Sequence, residues 1–182
     1  MIIFRNMMVK SILFAALVLL GACVPAQPNS QNVGNIHVNL VDVLARYGDQ
    51  LVENVETNLQ PEQPVLVASF VDIDNMGATS TFGRQVAEGM SGGLTRSHYP
   101  VLEVKLRNSL FIKENTGELM LSRELHHLST EHDAQAVLVG TYARGGSYVY
   151  VNARIVRTRD SVILGSHNFR LPLNRDISQM LP

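Results

Sequence analysis

The chain has 182 residues, a formal net charge of −1, one cysteine and no tryptophan. That balance is not a nucleic-acid binder's, and a lone cysteine offers no internal disulfide. Stability must therefore come from an apolar core.

Arg5 and Lys10 are the only charges before Cys23, and the run from Ile12 to Leu20 is apolar. Small residues Gly21 and Ala22 follow. A positive flank, a short apolar run and a small-residue cleavage site predict a signal peptide over residues 1–22. The run is about half the ~20 residues that a spanning helix needs. A start at Met7 or Met8 would leave Lys10 as the positive flank. Leu20-Gly21-Ala22-Cys23 resembles the bacterial lipobox, a leucine and two small residues before a cysteine. The resemblance implies thioether lipidation of Cys23, cleavage before it and acylation of the new amino group. Val24, in place of an inner-membrane aspartate, implies the outer membrane. Each buried CH₂ contributes ~0.8 kcal/mol, so several acyl chains on one cysteine hold firmly.

Cleavage before Cys23 would leave 160 residues, and loss of Arg5 and Lys10 would leave 13 basic against 16 acidic residues, a net charge of −3. That length suits one domain. Residues 23–36 read as the lipidated cysteine and a flexible linker, because Val24 to Asn35 carries Pro, Gln, Asn, Ser and Gly but no charge. Fully extended, such a tether reaches at most ~40 Å.

The domain is expected over residues 37–175, with a tail over 176–182. Asn39 caps a first helix, with Asp42 at N3. Leu40, Leu44, Tyr47, Leu51, Val55 and Leu59 form its apolar face. Val65 to Val71 is a continuous apolar run, which predicts a central strand covered on both faces. Ser80 or Thr81 caps a second helix carrying Phe82, Val86, Met90 and Leu94. Its glycines, Gly83, Gly89, Gly92 and Gly93, predict close packing against the sheet. Val101 to Leu106 is a second strand, parallel to the first in a βαβ unit. Arg107 to Asn115 is ambiguous, and Thr116-Gly117 reads as a turn. Ser122 caps a third helix with Leu125 and Leu128. Strands at 136–142, 148–158 and 162–171, turned at Gly145-Gly146 and Arg159-Asp160-Ser161, form an antiparallel meander. The fold class is α/β (α+β): a single domain with a mixed sheet of about five strands packed by helices.

Several blocks together resemble the FlgO family. They are Phe70-Val-Asp-Ile-Asp-Asn75 leading to Thr79-Ser-Thr-Phe-Gly-Arg84, Val101 to Arg107, Gly117-Glu-Leu-Met-Leu-Ser-Arg123, Val139-Gly-Thr-Tyr142, and Val149 to Arg154. The resemblance implies an outer-membrane lipoprotein associated with the flagellum and needed for normal motility. The strand order is more distantly similar to the α/β domains of TolB-like and curli-secretion lipoproteins. No catalytic residue carries over.

Asp72, Asp74 and Asn75 follow the first strand, where α/β sheets often place ligands. A calcium loop would need an oxygen ligand at Met76 and a Glu at Gly83, so a backbone-bonding turn fits better. His126 and His127 point about 100° apart on a helix, and no His-x-x-x-His pair exists. Ser122 lacks elbow glycines and reads as an N-cap. Gly89, Gly92 and Gly93 are not followed by the Lys-Ser or Lys-Thr of a phosphate loop. The sequence thus implies no metal, no cofactor and no enzyme.

Charge is distributed unevenly. Ile36 to Asn75 holds seven acids and one base. Gly140 to Pro182 holds Arg144, Arg154, Arg157, Arg159, Arg170 and Arg175 against Asp160 and Asp176. Tyr148, Tyr150, Asn152 and Arg154 share the outward face of the long fourth strand, with Asn168 and Arg170 next door. Tyrosine and arginine are favoured anchors, so this is the candidate partner face, against the plainer reading of a solvated sheet face. An acidic and a basic face on one chain also suit head-to-tail self-assembly. Three classes of function compete: a flagellar outer-membrane lipoprotein, a general envelope assembly, secretion-accessory or polymer-binding lipoprotein, and, weakest, a periplasmic enzyme. The expected partners are the membrane, through the lipid, and other flagellar or envelope proteins, with no nucleic acid. A lipid on Cys23 is compatible with a domain facing the periplasm or the cell surface.

Overall fold

The computed structural model describes residues 38–104, 110–112 and 119–182. Cys23, the signal peptide, the linker, Thr116-Gly117 and most of the ambiguous stretch from Arg107 lie outside the described residues. In chain order the elements are α1 (Leu40–Glu53), a 3₁₀ turn (Glu56–Asn58), β1 (Val65–Ala68), β2 (Val71–Asp72), α2 (Thr81–Arg96), β3 (Val101–Val104), β4 (Leu110–Ile112), β5 (Leu119–Leu121), α3 (Arg123–Glu131), β6 (Ala136–Arg144), β7 (Tyr148–Arg157), β8 (Ile163–Pro172) and α4 (Arg175–Met180).

The main sheet has six strands in the order β3-β1-β6-β7-β8, with β2 paired to β6 beyond the end of β1. β1 runs parallel to β3 and β6, and β6, β7 and β8 form the expected antiparallel meander. β4 and β5 pair separately as an antiparallel two-stranded sheet. β1 is central and buried throughout, as its unbroken apolar run demands. The single expected strand from Val65 to Val71 is nevertheless two. Val67 pairs with Leu138 but Val71 pairs with Thr141, so the register against β6 slips by one residue. Phe70 takes up the slip: its N–H donates to the Gly83 carbonyl at 3.2 Å, outside the ladder. Its ring belongs to the core on the α2 side.

One face of the sheet packs against α1, α2 and α4. Leu44, Leu51, Phe82, Val86, Met90, Leu94 and Ile177 meet Val65, Val67, Leu138, Val151, Ala153 and Ile155 there. The opposite face is covered by α3 and the β4–β5 pair, where Leu125, Leu110 and Leu121 meet Leu66, Ala68, Val137, Val139 and Val156. This second cover lies over β1, β6 and the end of β7. Among the described residues, the domain is three layers deep at that end and two layers deep over the rest of β7 and β8.

Each helix starts where a side chain satisfies an orphan amide. Asn39 accepts from Asp42 N–H, Ser80 from Gly83 N–H at 3.0 Å, Ser122 from Leu125 N–H at 3.2 Å and Asn174 from Ile177 N–H at 2.9 Å. The Asn39 cap is reciprocated through the Asp42 side chain, to which the Asn39 amide donates. Ser80 also accepts from the Tyr142 hydroxyl at 2.7 Å, which ties the α2 cap to β6.

Three expectations need correction. The first helix does not reach Leu59: it stops at Glu53, and the 3₁₀ turn lets Val55 and Leu59 stay in the core. The last residues are not an unstructured tail, because α4 and the following Leu181 place Ile177 and Leu181 in the core. The α2 glycines face α1 more than the sheet. A Cβ at Gly93 would lie 2.4 Å from the Gly48 carbonyl carbon, and one at Gly48 would lie 2.3 Å from Met90 O. The helices cross backbone to backbone at this pair. Only Gly83, beside the Phe70 carbonyl and the Tyr142 ring, keeps the expected role.

His167 on β8 is sandwiched with Tyr47 of α1 and Phe169, at ring-centroid distances of 4.9 and 5.9 Å. Burial lowers its pKa from the ordinary imidazole value. The folded state thus prefers the neutral ring. The stability this contributes is complete above about pH 6.5 and is lost as pH falls through the lower folded value. We expect the urea midpoint to fall between neutral pH and about pH 5, and His167→Phe to flatten part of that slope. An unchanged slope in the variant would assign the pH dependence to other groups.

Candidate functional site

The candidate face is the side of β7 and β8 that no described element covers. Strand alternation puts Val149, Val151, Ala153 and Ile155 inward and Tyr148, Tyr150, Asn152 and Arg154 outward. On β8 the outward set is Ser166, Asn168 and Arg170, all exposed. The register places Tyr150 beside Arg170, Asn152 beside Asn168 and Arg154 beside Ser166. All five residues picked from the sequence, Tyr148, Tyr150, Asn152, Arg154 and Arg170, therefore stand on one surface.

The surface is preorganised at one end. The Arg170 guanidinium carbon lies 4.5 Å from the centroid of the Tyr148 ring, a cation–π contact. The Tyr148 and Tyr150 rings are 6.5 Å apart, and Tyr150 is 48% exposed. A shallow groove of about 290 Å³ runs between Tyr150 and Asn152 on one side and Asn168 and Arg170 on the other. At the other end, Arg154 and Asp160 form part of the wall of a cleft of about 470 Å³ otherwise lined mainly by Leu110, Met120, Leu121, Val156 and Ile163.

Among the described residues, the two arginines of this face have no ion-pair partner. Arg157 and Arg159, at the adjacent turn, share Asp160, with Arg157 Nε at 2.9 Å. The hydrogen bond from Arg157 holds the Asp160 carboxyl below the usual carboxylate range. Arg96 binds Asp49 at 2.7 Å and so takes up part of the acidity of α1. Among the described residues, no carboxylate lies within ion-pair distance of Arg154 or Arg170.

The other sequence candidates resolve into local structure. Asp72 Oδ1 accepts from Asp74 N–H at 2.9 Å, and Asn75 N–H donates to the Asp72 carbonyl at 3.2 Å. These are the bonds of a turn. Ser122 is an N-cap. His127 lies 3.7 Å from Glu131 on the exposed side of α3. Among the described residues, no three ligating side chains cluster. No described helix is long and apolar enough to cross a membrane. Sequence reasoning missed Ser166, which the alternation of Asn168 and Arg170 already marked. It also missed the cleft, whose Leu110 wall lies in the stretch without a periodic signal.

The family model described as "FlgO protein" matches residues 45–176. No curated protein matches the chain. Among solved structures, the chain is similar to the LpoB C-terminal domain from Salmonella enterica, with 7% identity, 74% of this chain and 98% of that chain covered, and a TM-score of 0.49. It is similar to lipoprotein GNA1162 from Neisseria meningitidis at 17% identity, over 64% of this chain and 84% of that chain, with a TM-score of 0.38. It is also similar to the PelC dodecamer from Paraburkholderia phytofirmans at 14% identity, over 63% of this chain and 74% of that chain, with a TM-score of 0.38.

Proposed function

The chain belongs to the FlgO family, and from that premise we propose that it is a non-enzymatic outer-membrane lipoprotein, anchored through Cys23, that serves flagellar structure or assembly and hence motility. The family match over residues 45–176 carries this reading, since it spans α2 to β8 and most of α1. The uncovered face of β7 and β8 supports it. A protein that works by assembly needs a surface on which a partner can dock. Here aromatic rings and arginines without a described ion-pair partner are held on rigid strands rather than on loops.

A clean deletion is expected to abolish or sharply reduce swimming, and electron cryotomography of the deletion strain to show an altered basal body. Normal swimming with an unaltered basal body would remove the flagellar reading and leave a general envelope factor. Reversal of the face's charge, Arg154→Glu with Arg170→Glu, is expected to reproduce the deletion phenotype while leaving the protein folded and abundant. Both side chains point outward, and substitutions there seldom move stability by more than about 0.5 kcal/mol. Full motility in the double variant would assign the face to solvent.

A further inference from the structure

The main strand order runs from β3 to β8. Among the described residues β3 has four residues and β8 has ten. A long regular edge presents unpaired N–H and C=O groups to any extended chain, so proteins usually shorten it, charge it with lysine or break it with proline or a bulge. β8 has a register shift opposite Ile155 and Val156, and Pro172 at its end. Between them, Gly165 to Leu171 pair regularly with β7 and include neither lysine nor proline.

The register identifies which backbone groups face outward. Leu173 N–H donates to the Ser147 carbonyl at 2.9 Å, just beyond the paired Tyr148 and Pro172. By antiparallel alternation, Leu171, Phe169 and His167 then exchange their bonds with β7. The N–H and C=O groups of Arg170, Asn168 and Ser166 point away from the sheet. No described backbone group outside β8 and its partner strand bonds them. The same residues carry the side chains of the open face, so the free edge and the arginine-bearing surface are one continuous site.

We propose that β8 is a docking edge that receives an extended acidic segment of a partner protein as an added strand. This rests on reading the open face as an interaction face. Strand addition supplies main-chain bonds, while alternate side chains supply the choice of partner. An added strand would lie about 4.8 Å beyond β8, with every second side chain beside Ser166, Asn168 and Arg170. Carboxylates at those positions meet Arg170 directly and Arg154 one strand further in. The open face of β7 and β8 carries no acid to repel them. A second copy pairing β8 to β8 is the competing occupant. It would bring further arginines to a surface that already holds two without an ion-pair partner among the described residues.

The probe is a short synthetic peptide alternating glutamate and valine, titrated into the full chain in detergent micelles and followed by amide-resolved NMR. Shifts are expected at Ser166, Asn168 and Arg170. A lysine–valine peptide should bind about tenfold or more weakly. Asn168→Pro removes an outward N–H without touching the bonds to β7, a placement that edge strands tolerate. It should weaken the glutamate peptide about tenfold while the rest of the spectrum is retained. No shift in β8, or equal binding to the Asn168→Pro variant, overturns strand addition. Equal binding of both peptides overturns the acidic partner. Concentration-dependent shifts of the same amides without peptide would give the edge to a second copy. If the double arginine reversal stops swimming while the peptide leaves β8 untouched, the interaction face stands and only the added strand falls.

Discussion

Gly93→Ala will destabilise the domain by about 2–3 kcal/mol, whereas Gly92→Ala, one residue earlier, will leave stability unchanged or raise it by up to about 1 kcal/mol. Alanine is the better helix former at both sites, so propensity alone predicts a gain at each. The surroundings separate them. At Gly93 the new methyl would lie 2.4 Å and 2.5 Å from the carbonyl carbon and oxygen of Gly48, and 2.8 Å from Asp49 N. These are backbone atoms of α1 and cannot rotate aside. The helices must move apart, which loosens Leu44 and Leu51 against Met90 and Leu94. At Gly92 the nearest atom is the Arg96 guanidinium, at 2.9 Å, the far end of a flexible side chain. Its displacement weakens an exposed pair with Asp49, and such pairs contribute about 0–1 kcal/mol. Gly48→Ala should match Gly93→Ala, since its methyl meets Met90 O at 2.3 Å. The double variant should cost less than the sum, because the first substitution already separates the helices. Urea unfolding followed by far-UV circular dichroism suits a chain without tryptophan. A Gly93→Ala value within about 0.5 kcal/mol of the parent would contradict the close crossing.

Cys23→Ser will leave a foldable domain in the wrong place. The described core clusters draw on residues from Val38 onward, and the family match begins at residue 45. The anchor proposed at Cys23 is a separate matter. With such a lipid, each buried CH₂ would add ~0.8 kcal/mol of membrane affinity; without it, only protein contacts would hold the domain at the envelope. The expected result is a protein with unchanged unfolding behaviour that leaves the outer-membrane fraction and fails to support swimming. A variant that still fractionates with the outer membrane and restores motility would make the lipid dispensable and reduce the N-terminus to an export signal.

How much of this was legible depended on whether a feature was local. The buried strand β1 announced itself as a continuous apolar run, and β7 as a clean alternation, because a strand's faces are set by its own residues. The helix caps at Asn39 and Ser122 were legible for the same reason, and the α2 cap was narrowed to Ser80 or Thr81, of which the structure uses Ser80. The candidate face followed from strand alternation, since Tyr148, Tyr150, Asn152 and Arg154 share a side of β7 by periodicity, with Asn168 and Arg170 on the same side of the next strand. What failed was non-local. The slip at Phe70 answers to Gly83 and β6, and the partner of the α2 glycines is a helix more than 30 residues earlier. α4 is too short to show periodicity, and its place is decided by a core built from distant segments. That α3 and β4–β5 cover only part of the second sheet face also has no sequence signal. It is this incomplete cover that turns a polar alternation into a surface.

The placement of α1 has a consequence for how the chain reaches this state. α1 lies against β7 and β8, with Tyr47 over His167 and Phe169, and the core it shares includes Ile177 and Leu181. The earliest described element is thus finished by the last. Contacts spanning well over 100 residues must form before the apolar face of α1 is shielded, and such topologies fold slowly. A chain emerging from its N-terminus would hold that face open until nearly its whole length had appeared. It would need to stay unaggregated and uncut for that interval. The vulnerable moment for this protein is therefore its emergence, and a substitution in β8 or at Leu181 would be felt first as a lower yield of folded protein.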